Sequence, residues 1–154
     1  MWIVEDSRQQ KNKHELKHSA WEAHGDHLVR CALSVGDYAL PPKVAVDTKA
    51  DMAEIAQNIG GTTREHERFR NELIRARDQG THLYILIENT EGIRSVEDVR
   101  AWVNPRLLES ARAITGERLA KAMQTMMERY GCTFCFCRPE DAAGYIYALL
   151  ERGI

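Results

Sequence analysis

Residues 36–49 read GDYALPPKVAVDTK, and Asp37, Asp47 and Lys49, set into this apolar stretch, decide how the chain is read. Pro41-Pro42 removes ladder donors and favours a turn, so "HLVRCALSVGDYAL" and "KVAVDTK" read as two β-rich runs joined into a hairpin. Side chains alternate faces along a strand, which sends Val44 and Val46 one way and leaves Asp47 and Lys49 sharing the other. If the hairpin turns around Pro41, Asp37 falls opposite Ala45 and Asp47 becomes its diagonal neighbour, roughly 7–8 Å away. Two carboxylates at that separation can converge on one hard divalent cation, which keeps waters and contacts phosphate. A neighbouring ammonium, Lys49, could orient or deprotonate an attacking water or offset charge on a phosphate. Short motifs recur by accident, and an isolated Asp-x-Lys is more often an exposed ion pair beside a polar turn. The rest of the chain has to decide.

Working outward from the hairpin, "WIVE" opens the chain as a short strand. Residues Lys11 to His24 form an expected helix with Leu16, Ala20 and Ala23 on a narrow apolar face, stopped by Gly25. After the hairpin, Asp51 to Gln79 reads as helical with a break at Gly60-Gly61, and Gly80 ends it before the apolar run "HLYILIE", an expected central strand. "SVEDVRAWV" reads as a short helix capped by Ser95, and "GERLAKAMQTMMERYG" as a helix with Leu119, Met123, Met126 and Met127 on one face. "CTFCFC" then reads as a strand, and "PEDAAGYIYALLERG" as a closing helix with Pro139 in its first turn. Strands interleaved with helices around an early hairpin define an α/β class with a mixed, helix-flanked sheet.

At 154 residues and 44% hydrophobic content the chain fits one domain, 1–154, with a sizeable core. Its 21 basic and 23 acidic residues give a net charge of −2, so contact with nucleic acid has to come from a local patch. "MWIVEDSRQQ" shows no charged leader followed by an apolar stretch, and no window approaches a membrane span. A cytoplasmic or nucleoid-associated protein without membrane contact is expected. Cys132, Cys135 and Cys137 crowd into one extended segment, which reads as reduced core thiols rather than a disulfide framework or a zinc knuckle.

The pattern resembles the nuclease domain of XPF-like structure-specific endonucleases, a branch of the PD-(D/E)XK, restriction-endonuclease-like superfamily. That family shows a strand ending in Asp-Ser-Arg-Glu, then Gly-Asp-Tyr, then Glu-Arg-Lys on a third strand. This chain has Asp6-Ser7-Arg8-Gln9, Gly36-Asp37-Tyr38 and Asp47-Thr48-Lys49 in that order. Arg68-Phe69 with Glu72, the apolar strand ending at Glu88, and the final strand and helix follow the family's order too, so the resemblance covers nearly the whole chain. It implies metal ligation by Asp37, Asp47 and the Thr48 carbonyl, a catalytic role for Lys49, and a cleft lined by Asp6 and Arg8. It further implies Mg2+ or Mn2+ as cofactor, DNA as partner, and hydrolysis of phosphodiester bonds in branched or flap DNA. The departures are Gln9 for the usual Glu, Asp47 for Glu and Thr48 for Arg; a single nuclease domain without a helix-hairpin-helix module is expected. The alternative is a nuclease fold retained as an inactive DNA-binding or dimerisation module.

Two further expectations concern partners. Arg64 and Arg68 lie one helical turn apart and could track phosphates entering the cleft, although near-neighbour ion pairs explain most of that helix's charge. "AAGYIYALL" offers an apolar face for a homodimer, which core packing explains equally well. His14 and His18 form a conceivable metal pair, and Glu15 is a possible supplementary acid at the cleft.

Overall fold

The chain runs β1 (Trp2–Asp6), α1 (Glu15–Ala23), β2 (His27–Cys31), β3 (Tyr38–Leu40), β4 (Val44–Lys49), α2 (Met52–Gly60), α3 (Thr63–Asp78), β5 (His82–Glu88), α4 (Val96–Val99), α5 (Gly116–Tyr130), β6 (Thr133–Cys137) and α6 (Ala142–Arg152). This structure, a computed structural model, describes residues 1–10, 13–40 and 44–152. The expected turn at Pro41-Pro42 and the expected helix start at Lys11 lie outside those residues.

The six strands form one sheet in the order β2-β1-β3-β4-β5-β6. β3 is antiparallel to both β1 and β4, while the β1–β2, β4–β5 and β5–β6 pairs are parallel. The α/β, mixed-sheet expectation is therefore met. β5 explains the layering: its five central residues are all buried, as expected of a strand covered on both faces. Leu83, Ile85 and Ile87 pack with residues of α2, α3 and α5, whereas Tyr84 and Leu86 pack with Trp21 of α1 and Ile146 and Leu149 of α6.

Three expectations are corrected. The run from His27 to Leu40 is two strands, not one: β2 lies at the sheet edge beside β1, and the chain bends before β3. Gly36 makes the bend, with φ +74° and so little room that a Cβ would stand 3.1 Å from the Val46 carbonyl oxygen. The hairpin register differs as well, because Tyr38 faces Val46 and Ala39 faces Ala45, which leaves Asp37 just beyond the paired stretch. Finally, α1 starts at Glu15 and buries Lys17 and Trp21, not Leu16, Ala20 and Ala23; Leu16 is 89% exposed. Trp21 and Lys17 can be buried because each finds a polar partner: the indole N–H donates to the Ala143 carbonyl at 2.9 Å, and Lys17 pairs with Glu88.

Two further readings give way: Pro139 opens a separate 3-10 turn, Pro139–Asp141, ahead of α6, and along α3 only Arg77 and Asp78 form an ion pair among the described residues. Other readings hold. α2 and α3 break at Gly60-Gly61, Ser95 caps α4, and the cysteines and methionines of β6 and α5 fill the two cores. The apolar stripe of α6 is buried against this chain's own sheet, with Ala142, Ile146, Leu149 and Leu150 all in the core. No helix among the described residues is long and apolar enough to cross a membrane.

Candidate active site

β4 leaves the sheet with alternating faces. Val44 and Val46 join the core beneath α1 and α6, and Ala45 joins the core on the opposite side. Asp47 and Lys49 follow Ala45 on that side, at 5% and 8% exposure. Lys49 Nζ stands 2.8 Å from Asp47 Oδ2, an ion pair whose angle leaves that buried oxygen short of a well-directed hydrogen bond. The ammonium also lies 5.4 Å from the centre of the Phe69 ring.

Asp37 is set by backbone on both sides. Its N–H donates to the Val46 carbonyl at 2.8 Å, and its carbonyl accepts the Asp6 N–H at 2.7 Å. Asp37 Oδ2 accepts from the Thr48 N–H at 2.8 Å and from the Thr48 hydroxyl at 2.7 Å. Within a strand the N–H and C=O of one residue face the same edge, so the Thr48 carbonyl is turned toward Asp37 as well. Glu72 of α3 accepts the Gly36 N–H at 2.9 Å, tying α3 to the bend that presents Asp37.

These groups share a crowded field. Burial raises the pKa of Asp47 above the ordinary carboxylate range; Lys49 opposes the rise, while Asp37 and Glu72 add to it. Burial works against the charged form of Lys49, yet Asp47, Glu54 and Glu72 together hold its pKa above the usual lysine value. Asp6 is spoken for. Burial alone would raise its pKa, but hydrogen bonds from the Arg8 side chain and backbone and from the Leu33 N–H bring it below the usual value. Its partner Arg8 reaches on to the Leu33 carbonyl, so the pair clamps the loop beside the site.

Asp6, Arg8, Asp37, Asp47, Lys49 and Arg68 line one groove of about 650 Å³. A second groove of about 1110 Å³ opens on the other side of Asp37, Asp47 and Lys49 and takes in Thr48, Gln9 and the exposed Glu15. Arg64 is exposed on α3 and lines neither groove. Gln9 hydrogen-bonds with His14 at 3.0 Å and His18 with Glu5 at 2.9 Å, so the two histidines are engaged separately. Among the described residues no group of three or more His, Cys, Asp or Glu side chains stands ready to hold a metal ion.

Sequence reasoning missed Glu54 and Lys17. Glu54 lines both grooves and accepts the Ala50 N–H at 2.8 Å; the Asp51-to-Glu54 spacing at a helix start, where Asp51 caps Glu54 N–H at 2.7 Å, is the signal that points to it. The Lys17–Glu88 pair joins residues far apart in the chain and leaves no local signature.

The class that the fold defines is an XPF-like nuclease fold, and in it Asp37, from the bend before β3, lines a groove with Asp47 and Lys49 of β4. Similar solved structures include XPF from Aeropyrum pernix, alone and in complex with DNA. Both give a TM-score of 0.67 over 97% of this chain, at 18% and 19% sequence identity. The chain spans 63% and 62% of the length of those structures. No protein-family model and no curated protein matches the chain.

Proposed function

We propose that the chain is a single nuclease domain that hydrolyses phosphodiester bonds in DNA with Mg2+ or Mn2+ at the Asp37–Asp47 site. The observation that carries this reading is the convergence of Asp37, Asp47 and Lys49 on one groove of an XPF-like fold. The donor set suits a hard divalent cation: two carboxylates and a backbone carbonyl supply oxygen ligands, and Asp47 Oδ2 keeps an acceptor site that no directed hydrogen bond fills. Asp37, Asp47 and the Thr48 carbonyl would hold the ion. When bound, it supplies Lewis acidity toward a phosphoryl oxygen and acidifies water.

The chain's own groups do the rest. Lys49 donates into the groove, orienting the attacking water and offsetting charge on the phosphoryl oxygens. The water oxygen gives up a proton to solvent and forms a new bond to phosphorus, one ester P–O bond breaks, and the departing sugar oxygen takes up a proton from solvent, so that none is gained or lost overall. Arg68, at the groove rim, positions the incoming phosphate backbone. The A. pernix structure in complex with DNA supports DNA as the polymer; branched or flap DNA is the substrate class that the likeness favours. The α6 stripe, the face offered for a homodimer, is spent on the chain's own core; light scattering reads directly whether two copies pair.

Cleavage of end-labelled single-stranded, duplex, flap and splayed-arm DNA tests the reading, with Mg2+, Mn2+ or EDTA. Cutting by the wild type should require the metal and fall by at least about a hundredfold in Asp47→Asn and Lys49→Ala, the scale of losing one charge-stabilising group. DNA binding without any cutting would replace this reading with that of an inactive DNA-binding module.

A further inference from the structure

α3 has a second groove on its other flank. Its buried stripe is Phe69, Leu73 and Ala76; Glu65, Arg68, Glu72 and Arg75 lie to the cleavage-groove side of that stripe, and His66 and Arg70 to the other. There they meet Arg118, Lys121 and Arg129 of α5 around a groove of about 470 Å³ with no acidic residue in its lining. Some arginines have carboxylate partners, as in Arg8–Asp6, Arg77–Asp78 and Arg100 with Glu97 and Glu117; exposed arginines such as Arg94, Arg106 and Arg112 have none among the described residues, but these three do not gather in one groove. Arg70, Arg118, Lys121 and Arg129 form no ion pair among the described residues, and Arg70 Nε is buried with no hydrogen-bond partner.

In a protein of net charge −2 this is a local concentration of uncompensated positive charge. Like charges gathered in a concave surface repel one another and attract a polyanion. Arginine forks and a lysine without carboxylate partners suit phosphate oxygens. The repeat of cations along two helices fits a chain of phosphates better than a single one. α3 is the shared wall of both grooves, and a helix with its side chains is roughly 10–12 Å across, close to the roughly 12 Å width of a duplex major groove.

We propose that the α3–α5 groove is a second phosphate-tracking surface, which holds the backbone of the DNA strand that does not enter the cleavage groove. The identification of the polymer as DNA rests on the reading given above. The site itself rests on the charge pattern and geometry of α3 and α5.

Duplex and single-stranded DNA binding, measured by fluorescence anisotropy in EDTA from about 50 to 200 mM salt, tests this without requiring any cleavage. The variant is Arg118→Gln/Lys121→Gln/Arg129→Gln, all exposed positions. The control is Arg94→Gln/Arg106→Gln/Arg112→Gln, which changes net charge equally. With about 0.9 of salt slope per phosphate contact, the groove variant should lose roughly 2–3 of slope and at least about tenfold in duplex affinity, and much less for the single strand. The control should stay near wild type. Equal losses in both variants, no loss in either, or a wild type that binds no duplex would each overturn the proposal. Both variants are checked for unchanged circular dichroism, and Arg70→Gln repeats the test from α3. Metal-dependent cutting of a short single strand is scored separately, so that a failed cleavage reading and a failed groove are told apart.

Discussion

Cys132, Cys135 and Cys137 show how far one strand's alternation governs the chemistry of single side chains. Cys132 packs in the core beside α5, while Cys135 and Cys137 face the α1–α6 side. Burial pushes their thiols up to about 11, about 11 and about 12. The thiolate is the reactive form, so a raised value keeps these three protonated and inert through about pH 9, while Cys31 is exposed. Alkylation of the native protein, followed by mass spectrometry, should label Cys31 alone between about pH 7 and pH 9, and the other three only after unfolding. Fast labelling of Cys132, Cys135 or Cys137 would contradict this packing. At the same scale, Asp47 and Lys49 were legible because residues two apart in a strand share a face. Asp37 was legible in identity but not in register, since the bulk-free approach of Gly36 to β4 shifts the pairing.

The elements carry a different kind of information. α3 starts with Thr62, whose hydroxyl accepts the Glu65 N–H at 3.3 Å, while Glu65 Oε2 accepts the Thr62 N–H at 2.9 Å, closing a capping box. Thr62→Ala should therefore cost about 1 kcal/mol in urea unfolding, with little change in the chemistry of a groove whose α3 residues Arg68 and Glu72 lie further along the helix. A loss well above about 2 kcal/mol would mean that Thr62 does more than cap. Helix breaks at glycine pairs and caps at Ser95 and Thr62 are local chemistry, which is why the α2–α3 division was readable. The division of β2 from β3 was not, because the β-rich composition runs unbroken from His27 to Leu40 and only a contact with β4 forces the bend. α1 misled for a related reason. Its buried face is chosen by distant polar partners, Glu88 and the Ala143 carbonyl, and not by the small apolar residues on its surface.

Over the whole molecule, one sheet separates two cores, and neighbouring residues of β5 sit in different ones: Ile85 with α2, α3 and α5, and Leu86 with α1 and α6. Ile85→Ala and Leu86→Ala should each cost about 2–5 kcal/mol. Both should leave a single transition that near- and far-ultraviolet circular dichroism report together, since the cores share every β4–β5 ladder bond. Separate transitions would show two independently melting halves. The architecture at this scale was readable from the order of strands and helices, whereas the grooves on either side of α3 were not, because they depend on how helices from different parts of the chain pack. The buried Asp47–Lys49 pair bears on this scale too. Two charges in a sheet stabilise a fold less than well-packed hydrophobes of like volume, commonly by about 1–4 kcal/mol. A lineage rewarded only for keeping its shape would drift toward hydrocarbon at positions 47 and 49. Among descendants of this chain, relaxed demand on the groove would therefore be written first in those two codons, long before the surrounding sheet changed.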